Sequence, residues 1–271
     1  MIKEQTLNKI KVKPLQYGLI QDTNLIKGNE LFPSLYYNLF ICSKKKSGKT
    51  SLINTILEKC TDKRTLFFIF CPTIHVDNSW KSMTTFLENR GNVVKAYSDV
   101  MDGKVNILNE IVNELSIGEE QEEQDIAFVE DNIKKIKFDE PKDKKKREYK
   151  PKKKSVEICF IFDDTSDMLR NPAVSTLLKK NRHLKANVII SSQYLHDLQP
   201  SSIKQLDYFI AFKSFSDDKL ALIHKGLDLS INFNELLNIY QHCTEKPYSF
   251  LYINVRSEEY RCNFNKKIEI D

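Results

Sequence analysis

Residues 37–57 have the sequence YNLFICSKKKSGKTSLINTIL, in which an apolar run is followed by a polar, lysine-rich loop and then by a helix-like segment. This order predicts a strand, a phosphate-binding loop and the start of a helix. Backbone N–H groups at a helix N-terminus point at an anion, and the helix dipole adds a favourable potential for phosphates. The stretch therefore predicts a nucleotide-binding P-loop.

The loop matches the pattern G-x-x-x-x-G-K-[ST] except at its first position. Lys49 is expected to reach the β- and γ-phosphates, and the Thr50 hydroxyl is expected to bind Mg²⁺. Ser43 replaces the first glycine; a small residue keeps the turn possible, although glycine's conformational freedom is lost. The alternative, a lysine-rich surface loop, is disfavoured by the flanking strand and helix. The residues expected around the phosphates are Ser43, Lys44, Lys45, Lys46, Ser47, Gly48, Lys49, Thr50 and Ser51.

The composition fits one large domain, or one domain with an insertion, because the chain has 271 residues and is 41% hydrophobic. The 6 cysteines are far apart, several lie in apolar runs, and none forms a C-x-x-C pair. We therefore expect buried thiols in a reducing compartment rather than disulfides or zinc. The N-terminus lacks the apolar core of a signal peptide, and no stretch approaches membrane-spanning length, so we expect a soluble intracellular protein.

The net charge of +5 is concentrated in one segment. Lys142–Lys154 holds nine basic and two acidic residues, so the rest of the chain is slightly acidic. This basic segment follows an acidic block at 119–125, and such a pair of blocks is typical of a polar helix running into a disordered loop. Two interpretations stay open: a solvated insertion that lies against its acidic neighbour, or a segment that contacts DNA or directs nuclear import.

Short apolar runs alternate with helix-like segments, which predicts an α/β fold with a mainly parallel central sheet and helices on both faces. The predicted strands are Tyr37–Cys42, Thr65–Cys71, Val156–Phe162, Ala186–Ser192 and Asp207–Phe212. The predicted helices are Thr50–Cys60, Ser79–Arg90, Asp167–Lys180, Ser216–Gly226 and Asn232–Cys243. Segments 248–254 and 260–264 predict a closing hairpin or edge strands. We expect an N-terminal segment, 1–34, and a P-loop domain, 35–271, with a charged insertion at 119–154.

One of these strands ends in two adjacent carboxylates, Asp163 and Asp164. Ligands of open α/β sheets bind at the carboxyl ends of the strands. Because adjacent strand residues face opposite ways, the two acids are expected to differ in role, with Asp163 towards the Mg²⁺ shell and Asp164 towards the attacking water. Alone, such a pair equally caps the following helix. Its significance comes from the P-loop in the same sheet.

The strand Ala186–Ser192 is preceded by Arg182 and followed by Gln193. Gln193 is expected beside the γ-phosphate as a sensor or water-orienting group. The alternative is an ordinary polar residue at the end of a strand. Arg182, judged alone, has the character of a surface arginine near a helix C-terminus.

Taken together, these features resemble the genome-packaging ATPases of large DNA viruses, of the poxvirus type, and of their virophage relatives, which belong to the FtsK-HerA superfamily of DNA-pumping motors. The resemblance spans about residues 35–215. The matching features are the P-loop, the segment Phe70–Thr73 with Trp80 after it, the strand that ends in Asp163-Asp164, and Arg182-His183 leading to Gln193.

The resemblance implies a RecA-like ASCE P-loop NTPase in which the strand carrying Gln193 lies between the P-loop strand and the acid-bearing strand. It implies ATP and Mg²⁺ as cofactors, catalytic roles for Lys49, Asp164 and Gln193, and Arg182 as an arginine supplied to a neighbouring subunit. It further implies a pentameric or hexameric ring around double-stranded DNA, capsid or portal proteins as partners, and a location in host cytoplasm, viral factory, nucleus or virion. Asp164 departs from the glutamate common in the wider superfamily, and its shorter side chain would need a water relay.

We therefore predict an ATP-hydrolysing motor that moves double-stranded DNA into a viral capsid. Two other functions stay open. Another P-loop enzyme, such as a nucleotide kinase or a GTPase, would turn over nucleotide without DNA, although the Asn-Lys-x-Asp motif of GTPases is absent from the sequence. A non-catalytic, nucleotide-gated DNA-binding or assembly protein would bind ATP without hydrolysing it.

Overall fold

The computed structural model describes residues 25–117, 155–213 and 215–269. The strands in these ranges are β1 Asn38–Cys42, β2 Leu66–Phe70, β3 Val94–Tyr97, β4 Met101–Asp102, β5 Val105–Asn106, β6 Ile158–Asp163, β7 Ala186–Ser192, β8 Tyr208–Phe212, β9 Phe250–Asn254, β10 Glu259–Cys262 and β11 Lys266–Lys267. The helices are α1 Lys49–Cys60, α2 Asn78–Asn89, α3 107–117, α4 Pro172–Lys180, α5 Pro200–Ile203, α6 Asp217–Gly226 and α7 Phe233–Cys243. Short 3-10 helices cover Met168–Arg170 and Leu195–Asp197.

The main sheet has the strand order β11-β10-β9-β8-β1-β7-β6-β2-β3. Neighbouring strands pair in parallel along the stretch β8-β1-β7-β6-β2-β3. Strands β9, β10 and β11 extend the sheet beyond β8 by antiparallel pairing. Strand β7 lies between β1, which leads into the P-loop, and β6, which ends at the acidic pair. The central strand order that the resemblance implied is therefore confirmed.

Helices pack on both faces of the sheet because its central strands are apolar on both sides. Successive residues of β1 enter opposite layers: Phe40 and Cys42 join one core, and Leu39 and Ile41 join the other. Helices α1 and α2 cover the second layer, and α4, α6 and α7 cover the first. The predicted fold class, a mainly parallel sheet with helices on both faces, is confirmed.

All five predicted strands are present, with ends within two residues of the prediction. The predicted helix Asp167–Lys180 is wrong in one respect, because a break divides it into the 3-10 helix Met168–Arg170 and α4. The break lies at Asn171, which has ψ 132° and whose side chain accepts a hydrogen bond from Ala173 N. An extended backbone is favoured before proline, and Pro172 suits the first position of α4 because no N–H is needed there.

Some elements were not predicted. Strand β3, with sequence VKAY, is half-buried at the edge of the sheet, so it lacks the continuous apolar run of a central strand. Strands β4 and β5, of two residues each, form an antiparallel hairpin that precedes α3. The predicted closing hairpin is confirmed by the antiparallel pairing of β9 with β10, and β11 adds a further short edge.

The cysteine prediction is correct for four residues and wrong for two. Four cysteines are buried free thiols, namely Cys42, Cys60, Cys71 and Cys159. Cys243 and Cys262 instead form a disulfide that joins the end of α7 to β10. The two cysteines are 19 residues apart, and no local sequence pattern indicates that they pair. They meet because the β9–β10 hairpin brings Cys262 back to the end of α7.

The charged insertion 119–154 and the basic segment Lys142–Lys154 lie outside the described residues, as do residues 1–24. The domain division made from the sequence therefore stays a prediction. Within the described ranges Leu31 and Phe32 are buried, and the ring of Phe32 lies 4.5 Å from that of Tyr37. The described helices include none with the length and apolar character needed to cross a bilayer.

Candidate nucleotide site

The P-loop connects the carboxyl end of β1 to α1, and its unusual backbone conformations lie in its second half. Lys46 has φ 65°, and Gly48, the N-cap of α1, has φ 97°. Ser43 is not among the described residues with positive φ, and its N–H donates to Ser192 O at 3.1 Å, which prolongs the pairing of β1 with β7. The backbone at position 43 therefore does not require the glycine of the consensus pattern.

The start of α1 presents an anion-binding surface. The first hydrogen bond of the helix runs from Leu52 N to Gly48 O at 3.0 Å, so the N–H groups of the first turn have no acceptor within the helix. The first turn contains no acidic side chain, while Lys44, Lys45 and Lys46 are exposed beside it. Free N–H groups, the positive end of the dipole and nearby cations together favour phosphate binding.

The structure brings together two of the predicted catalytic residues. Lys49 Nζ lies 3.0 Å from Asp164 Oδ1, and the side chains are 9% and 38% exposed, respectively. Asp164 follows β6 with φ 53°, and its N–H donates to Ser191 O at 3.1 Å. A phosphate group would compete with the Asp164 carboxylate for the same ammonium, since both are oxyanions.

Asp163, the last residue of β6, is 6% exposed. Its Oδ2 accepts a hydrogen bond from Trp80 Nε1 at 2.8 Å. Its Oδ1 is buried and has no donor of the described residues in hydrogen-bonding geometry, although Ser191 lies near enough to favour the charged form. Burial raises the pKa of Asp163, while the charge of Lys49, the hydrogen bond from Trp80 and the nearby Ser191 hydroxyl act in the opposite direction.

These residues fit a magnesium ion. Mg²⁺ prefers carboxylate, hydroxyl and water oxygens and keeps several waters of its own. The buried Oδ1 of Asp163 is open to such a partner, because the described residues place no donor on it in hydrogen-bonding geometry and buried polar atoms are rarely left unpaired. Asp163 and the half-buried Thr50, in the first turn of α1, both lie at the carboxyl edge of the sheet. They are the residues that would hold the ion.

Trp80 has a role that the sequence did not predict. It is fully buried in α2, whose N-cap Asp77 accepts a hydrogen bond from Ser79 N at 2.7 Å. Its indole N–H is directed at Asp163, 83 residues further along the chain. The sequence marked Trp80 only as part of a family resemblance, since no local pattern signals so distant a hydrogen bond.

Gln193 directly follows β7 and is half-buried. Its carbonyl oxygen lies 3.5 Å from the Sγ of Cys42, at the end of β1. The loop that it begins is linked to the loop after β6, because the Ser192 hydroxyl lies 3.1 Å from that of Ser166 and also bonds to Asp197. Gln193 is therefore at the same edge as the P-loop and the acidic pair, and its role beside the γ-phosphate stays a prediction.

Arg182 lies at the opposite edge of the sheet. It precedes β7, whose 7 residues run towards the carboxyl edge, and a strand of this length spans about 20 Å. Arg182 Nη2 donates to Asp207 Oδ1 at 2.9 Å, and Arg256 Nη2 lies 3.7 Å from the same oxygen. Arg182 therefore cannot reach phosphates bound by its own chain, and its side chain is 51% exposed.

No protein-family model matches the chain, and no curated protein sequence is similar to it. Solved structures are similar. The DNA-packaging ATPase B204 of Sulfolobus Turreted Icosahedral Virus is 17% identical with a TM-score of 0.50, over 83% of this chain and 95% of that one. The genome packaging NTPase B204 of Sulfolobus turreted icosahedral virus 2 is 18% identical in two complexes. The TM-score is 0.51 with sulfate, over 84% of this chain and 96% of that one, and 0.50 with AMPPCP, over 83% and 95%.

At such identities the similarity establishes the fold. It agrees with the P-loop between β1 and α1, with the position of β7 between β1 and β6, and with the helices on both faces of the sheet. The family resemblance found in the sequence is thereby confirmed at the level of the fold: the chain has the P-loop ATPase fold of the B204 genome-packaging proteins.

Proposed function

We propose that this chain hydrolyses ATP with Mg²⁺ and uses the energy to move double-stranded DNA, packaging a viral genome. The observation that carries the proposal is the ion pair between Lys49 and Asp164, directly after the P-loop, with the buried Asp163 next to Asp164 in the chain. This arrangement supplies a cation for phosphates, a carboxylate for water and a carboxylate for a metal ion at one edge of the sheet. B204 is a DNA-packaging ATPase, which supports the choice of DNA as the substrate that is moved.

The chemistry follows from the residues in place. The free N–H groups of α1 and the Lys49 ammonium would bind the phosphates, and Lys49 would thereby leave Asp164. The released carboxylate of Asp164 would orient the attacking water and accept its proton. Thr50 and Asp163 would hold Mg²⁺, which neutralises charge on the phosphates when bound. Gln193 would contact the γ-phosphate and sense whether it is present. The adjacent Ser192, which is hydrogen-bonded to Ser166, would transmit this change to the loop after β6.

A ring is the assembly that gives Arg182 a catalytic role. Its side chain is half-exposed at the edge opposite its own P-loop, so only a neighbouring subunit could receive it. An arginine supplied in this way stabilises charge on the transferring phosphoryl group. We propose a ring of five or six subunits around the duplex, with capsid or portal proteins as further partners. The segment Lys142–Lys154 supplies basic charge for the DNA backbone.

The test is a single-turnover and steady-state ATPase assay on the full chain, with and without duplex DNA and with Mg²⁺ or a chelator. We expect Mg²⁺-dependent hydrolysis that duplex DNA stimulates, and no hydrolysis by Lys49→Ala. Transfer of phosphate to a nucleoside monophosphate without an effect of DNA would instead identify a kinase. Binding of ATP without any turnover would identify a nucleotide-gated assembly protein.

A further inference from the structure

Tyr248 lies between α7 and β9 in an unfavourable backbone conformation. The N–H of Ser249 donates to Lys246 O at 3.2 Å, which closes a turn with Pro247 in second place and Tyr248 in third. Tyr248 has φ 64°. Proline in second place and a positive φ in third define a type II turn, whose third place is normally taken by glycine or asparagine. A bulky residue with positive φ is an outlier that calls for an explanation.

Packing does not explain the choice of tyrosine, because the residue is 74% exposed. Other exposed aromatic rings have a cation over one face: Lys219 Nζ lies 4.3 Å from the ring centre of Tyr194, and the Arg90 guanidinium lies 5.8 Å from that of Phe86. Within the described ranges no such cation covers Tyr248. Strained backbone that packing does not account for is concentrated at ligand-binding sites.

The ring of Tyr248 flanks the phosphate-binding end of α1. Its Cδ1 lies 3.4 Å from the position that a β-carbon would occupy on Gly48, the N-cap of that helix. Phe212 Cε1 lies 4.0 Å from the same position. The aromatic ring therefore lies beside the phosphate loop, next to the open side of Gly48.

The turn is held from both sides. Cys243, at the end of α7 just before the loop, is bonded to Cys262 of β10. After the turn, Phe250 N donates to Asn263 Oδ1 at 3.1 Å, and the Phe250 ring lies 5.3 Å from that of Phe212. A platform anchored at both ends loses little conformational freedom when it binds a ligand.

We propose that Tyr248 is the platform on which the nucleobase of ATP stacks. The inference rests on the proposed function, because it assumes that nucleotide phosphates lie at the start of α1. A nucleobase is joined to those phosphates through one ribose, so it must lie close to the P-loop. Tyr248 offers an open aromatic face there, and stacking on such a face tolerates any base. The site is therefore expected to bind purine nucleotides with little selectivity between adenine and guanine.

The experiment separates the ring from the backbone. Tyr248→Asn removes the ring but keeps a residue that tolerates positive φ, whereas Tyr248→Phe keeps the ring. Binding of Mg²⁺-ATP and of Mg²⁺-tripolyphosphate, which has no base, is measured by calorimetry, and stability is measured by urea unfolding. We expect Tyr248→Asn to weaken ATP binding about 10-fold, with tripolyphosphate binding unchanged and stability equal to or above that of the wild type. Tyr248→Phe should bind both ligands normally.

Wild-type ATP affinity in Tyr248→Asn, or an equal loss of ATP and tripolyphosphate affinity, would overturn the stacking role. Lys49→Ala distinguishes this failure from a failure of the proposed function. If Lys49→Ala loses both ligands while Tyr248→Asn loses neither, the nucleotide site stands and only the platform is wrong. If the wild-type chain binds neither ligand, both proposals fail.

Discussion

The main sheet has an amino edge, where its parallel strands begin, and a carboxyl edge, where they end. Each of these edges holds a buried aspartate, and the two aspartates are paired differently. At the amino edge Asp207 is 8% exposed; its Oδ2 accepts a hydrogen bond from Asn38 N at 3.0 Å, and its Oδ1 accepts one from Arg182 at 2.9 Å. At the carboxyl edge Asp163 is 6% exposed and accepts a hydrogen bond from Trp80, but no described residue places a donor on its second oxygen in hydrogen-bonding geometry. Among the described residues both carboxylate oxygens of Asp207 are therefore paired, whereas Asp163 has one oxygen open to a ligand.

The backbone shows the same contrast. At the amino edge Lys185 has φ 47°, and ordinary turn chemistry explains it, since Ala186 N donates back to Asn181 O at 2.8 Å after the end of α4. At the carboxyl edge Asp164 and Tyr248 have φ 53° and 64°, and neither is buried. Positive φ thus occurs at both edges, but at Tyr248, beside the P-loop, it falls on a bulky residue that burial does not explain.

The largest effect is expected from Lys49→Ala. This change removes the ammonium that binds the phosphates, so hydrolysis should fall to background and ATP affinity should fall with it. Lys59→Ala is the matched control, because Lys59 is an exposed lysine in the last turn of α1, at the end away from the P-loop, and its loss should leave most of the activity. Normal turnover by Lys49→Ala would show that the nucleotide binds elsewhere.

Asp164→Asn tests the carboxylate that pairs with Lys49. The substitution removes the proton acceptor and also the anion that competes with phosphate for Lys49, so ATP binding should be kept or tightened. The rate of hydrolysis should fall about 10²–10⁴-fold. Asp163→Asn should instead weaken Mg²⁺-ATP binding itself. An equal loss of ATP affinity in both variants would contradict the division of roles between the two acids.

Arg182→Ala tests whether the amino edge serves a second subunit. The variant should bind ATP normally and hydrolyse it on the order of 10³-fold more slowly. Arg256→Ala is the matched control, because Arg256 lies near the same Asp207 oxygen and is 69% exposed. If Arg182 only supports the fold, both substitutions should have the same small effect, since exposed ion pairs contribute about 0–1 kcal/mol.

The same variant allows a complementation test. Mixing Arg182→Ala with Lys49→Ala subunits should restore hydrolysis, because an intact P-loop then meets an intact arginine at some interfaces. Fluorescence energy transfer between labelled subunits verifies that mixed assemblies form. Verified mixing without recovery would leave Arg182 as a structural partner of Asp207 alone.

Much of the fold could be predicted from the sequence, because central parallel strands are continuous apolar runs. Strands β1 and β7 could be found for this reason, together with the P-loop between β1 and α1. The position of β7 between β1 and β6 came only from the family resemblance, since strand order depends on contacts distant in sequence. Strand β3 was missed because an edge strand has no continuous apolar run.

The site could be predicted in part. Lys49, Thr50 and Asp163 belong to short motifs whose chemistry fixes their residue types. The position of Tyr248 beside the P-loop could not be predicted. A turn that begins with Lys-Pro favours glycine or asparagine in its third place, so the sequence gives no reason to expect a functional aromatic ring there. The Trp80 bond to Asp163 joins residues 83 positions apart, and only the packing of α2 against β6 brings them together.

The smallest effect is expected from Trp80→Phe, which tests the hydrogen bond from the indole N–H to Asp163. Phenylalanine keeps most of the buried ring but removes the indole N–H, so Oδ2 of a buried carboxylate loses its donor. Leaving such a group without a partner costs about 1–3 kcal/mol of unfolding free energy. Urea unfolding of Trp80→Phe, Asp163→Asn and the double variant measures their coupling. We expect non-additive effects, because once the charge at position 163 is removed, the missing indole N–H matters less. Strict additivity would mean that Trp80 stabilises the chain by packing alone, and the carboxyl edge would then hold Asp163 through Lys49 and Ser191 rather than through α2.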